Sequence, residues 1–443
     1  MALDATLFPT RPSERSCDVL VIGAGPAGSS AAYWLATAGL DVVVAEKKRF
    51  PRVKTCGDGL TPRSMKQLRD MGVMADLSAS YHRYEGLRSV AFGRSLEMSW
   101  PEHPEFPSYG YTITRHDLDA LVAANAEKAG ADLWQGCEAV ERATAGDANG
   151  AGLPLAGGAV LLDRDKQTRS VVKARAVVVA DGSLSRFGRC LGTARVKAWP
   201  QGMAIRGYYT SPRHDDPFIE SHLDIRDREG NVVPGYGWVF PLGDGRVNVG
   251  IGLLSTSARW KGVNTTKLME EFVRFAPDYW GISPETSCGE ATGGRLPMGL
   301  AVGPRSGADF LVVGDAAGSI NPFNGEGIAY AYETGRLAAE VLTTALGSPG
   351  ELSLETYEER LQAEYGRYYA VARAFVKAIG HPRLMRAAVG TGMYSRPIME
   401  WMMRIMANLM RPELAGPPEA IYRSAAALSS YLEHRHAGAR AAS

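Results

Sequence analysis

The segment from residue 17 to residue 46 constrains the fold of this chain more than any other part of its sequence. Residues 17–22 (CDVLVI) predict a buried strand, a glycine-rich turn and a helix follow to about Ala38, and residues 41–46 (DVVVAE) predict a second buried strand. Parallel strands need a crossover connection of this kind. The segment therefore predicts an α/β fold, with a parallel sheet that has helices on its faces.

The turn inside that unit has the chemistry of a dinucleotide-binding site. Its sequence, GAGPAG, has the G-x-G-x-x-G spacing: the first glycine makes a tight turn, the second lets a pyrophosphate approach the backbone, and the third packs the helix on the strand. The N–H groups at the start of the helix then face the anion. An acidic residue at the end of the second strand suits a ribose without a 2′-phosphate, and so FAD or NAD rather than NADP. The candidate contacts are Gly23, Gly25, Pro26, Ala27, Gly28 and Glu46.

Composition excludes several other classes of protein. The 443 residues carry 49 Lys and Arg against 48 Asp and Glu, so the basic excess typical of a nucleic-acid binder is missing. The five cysteines form no C-x-x-C pair, which argues against zinc sites, iron–sulfur sites and a disulfide scaffold, and no metal is expected. The N-terminus lacks the pattern of a secretory signal, and we expect a reducing, cytoplasmic location.

Two later turns favour FAD over NAD. Asp315 ends a strand in GDAAGSINPFNGEGI, where it would bind hydroxyl groups of the ribityl–pyrophosphate stretch, and Asp181-Gly182 ends another strand near the nucleotide. The turn at 325–328 opens a helix whose N-terminus would face a flavin ring and stabilise the anion of the reduced flavin. The residues assigned to FAD by these turns are Asp181, Gly182, Asp315, Gly325, Gly327 and Ile328. Together the motifs resemble the flavoprotein monooxygenase superfamily, which implies a Rossmann-type, glutathione-reductase-like FAD-binding domain.

Patterning along the chain predicts three regions. The strand patterns of the FAD-binding domain are interrupted by a segment that is richer in aromatic residues and alternation, such as YGWVF, and this segment predicts an antiparallel sheet. The C-terminal part is helical by composition and rich in methionine. The predicted regions are a discontinuous FAD-binding domain at 15–80, 112–195 and 298–346, a substrate domain at 81–111 and 196–297, and a helical region at 347–443.

Two further motifs resemble the geranylgeranyl reductase family. Residues 54–62 (KTCGDGLTP) resemble its CGDG loop, and residues 236–241 (YGWVFP), followed by Gly250 and Gly252, resemble its Y-x-W-x-F-P…G-x-G signature. Within that family, the likeness over about residues 15–410 is greatest to an actinobacterial branch that saturates one isoprene unit of the menaquinone tail. The resemblance implies FAD contacts at Gly25–Gly28, Cys56, Gly57, Asp58, Gly59, Arg115, Asp315, Gly327 and Ile328.

The aromatic motif suggests what the flavin acts on. On a strand, Tyr236, Trp238 and Phe240 alternate and so point to one face, where they form an apolar wall. An ordinary sheet core would give the same pattern. The functional interpretation is a slot that holds a long hydrocarbon against the flavin, and the family resemblance makes that hydrocarbon a polyprenyl, menaquinone-type lipid. The candidate substrate contacts are Tyr236, Trp238, Phe240, Pro241, Gly250 and Gly252.

The predicted reaction is the FAD-dependent reduction of an isolated C=C bond, in which one alkene carbon gains a hydride and the other a proton. Protonation builds tertiary carbocation character, which the rings of Tyr236 and Trp238 can stabilise by roughly 0.5–2 kcal/mol. Cys56 is the third catalytic candidate, although a lone cysteine is usually a small buried hydrophobe. Its thiol, with an ordinary pKa of about 8.5, is a poor acid for an alkene. The proton donor, the electron donor and the polyprenyl head group stay open.

Other functions share parts of this pattern. An FAD-dependent aromatic hydroxylase or monooxygenase would share the FAD motifs but not the Y-x-W-x-F-P signature. A geranylgeranyl reductase that acts on a diphosphate or a lipid would share both. An electron carrier to quinone would need a four-cysteine cluster, which this sequence lacks.

A lipid substrate also raises the question of membrane contact. Apolar residues recur at helical spacing in PIMEWMMRIMANLMR at 397–411. Such a stripe predicts either a peripheral contact with the inner face of the cell membrane or a helix packed on its own domain. The residues of the stripe are Ile398, Trp401, Met402, Ile405, Met406 and Leu409.

Overall fold

Two sheets organise the part of the chain that the computed structural model describes, residues 11–143, 157–233, 235–256, 262–348, 353–411 and 416–427. The strands of the first sheet are β1 (Glu14–Ile22), β2 (Val42–Glu46), β8 (Asp132–Gln135), β9 (Cys137–Arg142), β10 (Gly157–Asp163), β11 (Arg169–Val179) and β19 (Phe310–Val312). Strands β8, β2, β1, β11 and β19 run parallel, and β10 and β9 continue the sheet antiparallel beside the first half of β11.

Helices cover this sheet and form most of the C-terminal region. In chain order they are α1 (Pro26–Thr37), α2 (Pro62–Asp70), α3 (Met74–Ser80), α4 (Arg115–Lys128), α5 (Arg186–Cys190), α6 (Thr265–Phe275), α7 (Ile328–Gly347), α8 (Glu355–Leu361), α9 (Arg367–Ile379), α10 (Pro382–Gly392) and α11 (Arg396–Met406). The predicted unit of strand, helix and strand is confirmed as β1, α1 and β2.

The two faces of the first sheet bury alternate residues. Val19 and Val21 join one apolar cluster with α1, α4 and α7, whereas Leu20 and Ile22 point to the opposite face and join a second cluster. Helices α1 and α7 approach closely at Gly335, where a Cβ atom would lie 2.3 Å from the carbonyl oxygen of Ala27. The N-terminal helix and a helix more than 300 residues later therefore share one core.

The second sheet is built from the segments that interrupt the first. Its strands, in spatial order, are β17 (Thr292–Pro297), β13 (Gln201–Thr210), β16 (Arg246–Leu254), β15 (Gly235–Pro241), β14 (Phe218–His222), β5 (Gly86–Ala91) and β6 (Arg94–Ser99). Neighbours are antiparallel, as predicted, except that β14 and β5 run parallel. Helix α6 packs on one face of the second sheet. The opposite face is the one that contacts loops of the first sheet.

Two small sheets connect these parts. One contains β3 (Gly59–Leu60), β7 (Gly110–Thr112) and β4 (His82–Tyr84), and the other pairs β12 (Ala194–Arg195) with β18 (Val302–Gly303). Strand β3 directly continues the CGDG loop. The loop therefore leaves the first sheet and enters the region between the two large sheets.

The C-terminal helices pack on the first sheet's helical layer and beside the second sheet. Residues of α8 and α9 join the core beneath α7. Met393, directly after α10, and Met399 and Met403 of α11 join the cluster that contains Tyr84 and Trp100. The apolar stripe at 397–411 is not a free surface: Ile405 and Leu409 are only 5% and 1% exposed. Its prediction as a membrane-facing stripe is wrong at these two positions, because both side chains pack into the body of the protein. Within the described residues, no helix is long and apolar enough to cross a bilayer.

Candidate active site

Glycine is required at two positions of the first turn. Gly23 has φ +98°, and a Cβ there would lie 2.4 Å from the carbonyl oxygen of Ala180. A Cβ on Gly28 would lie 1.8 Å from the carbonyl oxygen of Gly23. The turn therefore packs against the end of β11 on one side and against the start of α1 on the other.

The space above Gly25 is lined by positive charge. A Cβ there would meet the guanidinium groups of Arg52 at 3.7 Å and of Arg115 at 4.0 Å, with no backbone atom in the way. Asp119 holds both arginines, accepting from Arg115 Nε at 2.6 Å and lying 2.8 Å from Arg52 Nη1. Arg52 Nε is buried and has no hydrogen-bond partner in the described part of the chain. Two cations beside a helix N-terminus fit a pyrophosphate.

Glu46 ends β2 beside this space. Its Oε2 accepts from the backbone N–H of Ala24 at 3.0 Å, and its Oε1 accepts from the backbone N–H of Lys48 at 3.0 Å. Because a carboxylate oxygen can accept more than one hydrogen bond, both oxygens can still accept from ribose hydroxyls. The role predicted for Glu46 stays a prediction.

Asp181 and Gly182 lie at the end of β11, next to the first glycine of the turn. A Cβ on Gly23 would be 3.2 Å from the Cα of Asp181. Asp181 Oδ2 accepts from the backbone N–H of Phe187 and so holds the start of α5. Its Oδ1 is buried, and no described residue forms a hydrogen bond with it. Burial raises the pKa of this carboxyl.

The carboxylate of Asp58 binds the protein rather than facing open space. It is fully buried at φ +64°, and it accepts hydrogen bonds from the Arg115 backbone N–H at 3.2 Å, the Tyr208 hydroxyl at 2.6 Å and the Asn248 amide at 2.8 Å. Burial raises its pKa, against the effect of these donors and of Arg206. The side chain of Asp58 therefore joins the loop to the second sheet, and its predicted contact with FAD stays a prediction.

The three aromatic side chains form one row on the face of β15 that meets the CGDG loop. Ring centroids are 5.7 Å apart for Tyr236 and Trp238 and 6.1 Å apart for Trp238 and Phe240. A Cβ on Gly57 would lie 3.2 Å from Phe240 Cε2 and 3.5 Å from Trp238 Nε1. The loop and the row are thus in van der Waals contact.

Trp238 is the buried member of this row. It is 4% exposed, and its indole N–H donates to Asn248 Oδ1 at 2.9 Å. On the neighbouring strand, a Cβ on Gly250 would lie 2.2 Å from Trp238 Cζ2, so glycine is needed to seat the indole. Tyr236 and Phe240 keep part of their surface exposed, and these two rings are the more accessible ones.

The turn at 325–328 meets the row at its Tyr236 end. The Tyr236 hydroxyl donates to the carbonyl oxygen of Asn324 at 2.8 Å, and a Cβ on Gly325 would lie 3.5 Å from the same hydroxyl. On the other side, a Cβ on Gly327 would lie 3.4 Å from Asp315 Oδ1, and Lys54 Nζ lies 3.3 Å from Asp315 Oδ2. The GD motif, the CGDG segment and the aromatic row therefore converge at this turn.

Cys56 lies between these elements. Its carbonyl oxygen accepts from the Asn248 amide at 2.9 Å, and burial raises the pKa of its thiol, an effect that Asp58 reinforces. A neutral buried thiol is a weak nucleophile. The predicted place of Cys56 at the flavin and a chemical role for its thiol both stay predictions.

Several residues of this site escaped sequence reasoning. Arg52 and Asp119 complete the anion site, Asn248 joins the loop to the row, and Glu326 places a buried carboxyl in the turn. A partial signal existed for Asp119, which lies four residues after Arg115 on a predicted helix. Separately, a surface cavity of about 430 Å³ is lined by Glu102, His103, Pro104, Phe106, Pro107, Ser108 and Arg411.

The comparisons with known proteins agree with this geometry. Residues 16–204 match the family described as FAD binding domain. Over 418 residues, covering 94% of this chain and 98% of the relative, the chain is 40% identical to a menaquinone reductase from Mycolicibacterium smegmatis. The chain belongs to the menaquinone reductase branch of the geranylgeranyl reductase family.

More distant members of the family match less of the chain. A digeranylgeranylglycerophospholipid reductase 1 from Methanopyrus kandleri is 30% identical, covering 80% of this chain and 88% of its own. A solved structure of a geranylgeranyl bacteriochlorophyll reductase-like protein from Thermoplasma acidophilum has a TM-score of 0.70 at 23% identity, covering 89% of this chain and 99% of its own. That structure supports the fold alone.

The fold class and the cofactor are therefore confirmed: the chain is an FAD-dependent oxidoreductase with a Rossmann-type FAD-binding domain. The two guanidinium groups above Gly25 suit the charge of the FAD pyrophosphate. The individual contacts assigned from the sequence remain predictions.

Proposed function

We propose that this protein reduces an isolated C=C bond of a polyprenyl chain, and specifically saturates an isoprene unit in the tail of a menaquinone. The observation that carries the proposal is the aromatic row in contact with the CGDG loop, at the turn where the FAD motifs converge. The 40% identity to a menaquinone reductase over nearly the whole chain supports the choice of substrate.

FAD, when bound, supplies a two-electron hydride donor, which is the chemistry that saturation of an alkene needs. The residues of the chain bind FAD and orient it. Arg52 and Arg115 hold the pyrophosphate, Glu46 accepts from ribose hydroxyls, and Asp315, beside Lys54, accepts from hydroxyls nearer the reacting end.

The aromatic row supplies an apolar surface for the reacting alkene. An alkene without a neighbouring carbonyl gains cationic character when it is protonated, and a ring face stabilises a nearby cation by roughly 0.5–2 kcal/mol. Tyr236 and Phe240 keep accessible surface, and buried Trp238 supports both. Exclusion of water by this packing protects the cation from capture.

Cys56 acts in this proposal by packing. Its thiol is neutral because burial raises its pKa, and its backbone is held by Asn248. It therefore positions the loop without taking part in proton transfer.

A lipid substrate requires access from a membrane, and we infer a peripheral contact at α10 and the start of α11. Leu384 and Tyr394 are 55% and 73% exposed, and Ile398 is 37% exposed. The exposed basic residues Arg383, Arg386 and Arg396 lie on the same two helices. Apolar side chains beside basic ones suit an anionic lipid surface.

Co-sedimentation with anionic vesicles tests that contact. We expect wild type to bind and Leu384→Glu with Tyr394→Glu to lose binding while FAD content is unchanged, because both side chains are exposed. Phe275→Glu on α6, which is 71% exposed, is the matched control. Equal binding by the double variant would exclude this surface.

The test of the main proposal is anaerobic reduction of the protein with dithionite, addition of menaquinone, and mass spectrometry. A gain of two hydrogens in the tail is expected. Reduction of the quinone head with an unchanged tail would favour an electron carrier. Oxygen incorporation into an aromatic substrate under air would favour a hydroxylase.

A further inference from the structure

Glu326 places a carboxyl group in the turn that meets the aromatic row. It lies between Gly325, whose Cβ position is 3.5 Å from the Tyr236 hydroxyl, and Gly327, whose Cβ position is 3.4 Å from Asp315. One carboxyl oxygen, Oε1, accepts a hydrogen bond from the Thr61 hydroxyl. The other, Oε2, is buried and has no hydrogen-bond partner among the residues that the structure describes.

An unpaired buried carboxyl oxygen is costly unless it has a use, because its desolvation is not compensated. We propose that Glu326 is the acid that protonates the alkene carbon in the reduction, an inference that rests on the proposed function. The free Oε2 is the atom that carries and delivers the proton.

The surroundings of Glu326 keep its proton in place near neutral pH. Burial raises its pKa to about 7, and Glu333 on α7 adds to the rise. Thr61, Arg63 and Ser64, at the start of α2, act in the opposite direction and are outweighed. The phenols that face it, Tyr84 on β4, Tyr236 on β15 and Tyr330 on α7, are neutral, since burial raises the pKa of each.

The neighbouring groups are poorer acids. The hydroxyl of Tyr236 already donates to the carbonyl oxygen of Asn324, and the hydroxyl of Tyr84 donates to that of Leu60. Burial raises the pKa of the Cys56 thiol above its ordinary value. A general acid works best when its pKa lies near the working pH, and of these groups Glu326 meets that condition.

The two electrons of the alkene π bond form a C–H bond with the Glu326 proton, and the O–H bond breaks to leave a carboxylate. The cationic carbon then accepts the hydride that reduced FAD supplies, so the alkene is reduced by two electrons and FAD is oxidised by two. The carboxylate regains its proton from water after product release.

An infrared titration measures the proton directly, without turnover. On the FAD-loaded protein with ¹³C-labelled glutamate, we expect a carboxylic C=O band that disappears as pH rises through about 7. The band should be absent in Glu326→Gln and present in Glu340→Gln, a control on α7, the helix that follows the turn, whose side chain is 44% exposed. Absence of the band in wild type at about pH 6 would overturn the proposal.

Turnover is measured in parallel on the same variants. Wild-type saturation of menaquinone should fall as pH rises through about 7, and Glu326→Gln should lower it about 100-fold or more while FAD content and anaerobic flavin reduction stay normal. Wild-type turnover by Glu326→Gln would overturn the role of Glu326 alone, whereas no saturation by wild type would overturn the proposed function itself. If Glu326→Gln loses FAD, the pH dependence of turnover is measured on Glu326→Asp instead. A fall in turnover at the same pH as in wild type would refute the assignment of Glu326.

Discussion

The side-chain amide of Asn248 donates a hydrogen bond of 2.8 Å to the carboxylate of Asp58, across 190 residues of sequence. The same side chain donates to the carbonyl oxygen of Cys56 and accepts from the Trp238 indole. One fully buried residue of the second sheet thus fixes both the CGDG loop and the aromatic row. The position of the aromatic row relative to the CGDG loop therefore depends on Asn248.

Asn248→Ala should therefore be costly for stability and for turnover. It leaves the buried indole N–H of Trp238 without its acceptor and removes one donor each from Asp58 and the Cys56 carbonyl oxygen. We expect the free energy of unfolding to fall by about 1–3 kcal/mol. Urea unfolding followed by fluorescence measures this loss. Asn231→Ala removes an amide that bonds only exposed Asp227 atoms among the described contacts, and should change stability little.

Arg115→Gln should weaken FAD binding. It removes one of the two cations above Gly25, and a charge-assisted contact contributes about 1.5–3 kcal/mol, equivalent to roughly 10- to 100-fold in Kd. Titration of apoprotein with FAD, followed by flavin fluorescence, measures the change. Arg164→Gln, an exposed arginine of the same domain, is the control, and equal Kd values for the two variants would exclude the anion site.

Gly250→Ala should impair alkene reduction without removing FAD. Its new Cβ would lie 2.2 Å from Trp238 Cζ2, so the indole must move, at a cost of about 1–3 kcal/mol. Gly294→Ala on β17 of the same sheet meets no atom within 4 Å and serves as the matched control. Mass spectrometry of the menaquinone product compares the two variants. Similar turnover would show that alkene reduction does not depend on the position of the Trp238 indole.

Cys56 should react slowly with alkylating reagents. Its pKa is raised by burial, whereas Cys190 and Cys288 are exposed and accessible. Peptide mapping after brief iodoacetamide treatment should find the two exposed cysteines modified first, and Cys56 only after unfolding. Cys56→Ser should retain near-normal turnover. Complete loss of activity would show that the thiol has a chemical role in the reaction.

Sequence reasoning succeeded where the chemistry is local. The turn at 23–28, its flanking strands and the alternation of Tyr236, Trp238 and Phe240 involve neighbouring residues, whose periodicity is visible in one window. Contacts such as Asn248 with Asp58, or Arg52 with Asp119, join distant segments that no local pattern connects. The stripe at 397–411 shows the same limit, because amphipathic spacing identifies an apolar face but not what covers it.

The close packing of α1 on α7 has a consequence for how the protein is made. Strand β19 and helix α7, which complete the core begun by β1 and α1, leave the ribosome some 300 residues after them. Until then the N-terminal unit lacks the strand and helix that cover it, and its apolar surface stays exposed during most of translation. Cofactor loading is therefore expected to be a late event in biogenesis, and a chain truncated before residue 328 should be a client of chaperones rather than a flavoprotein.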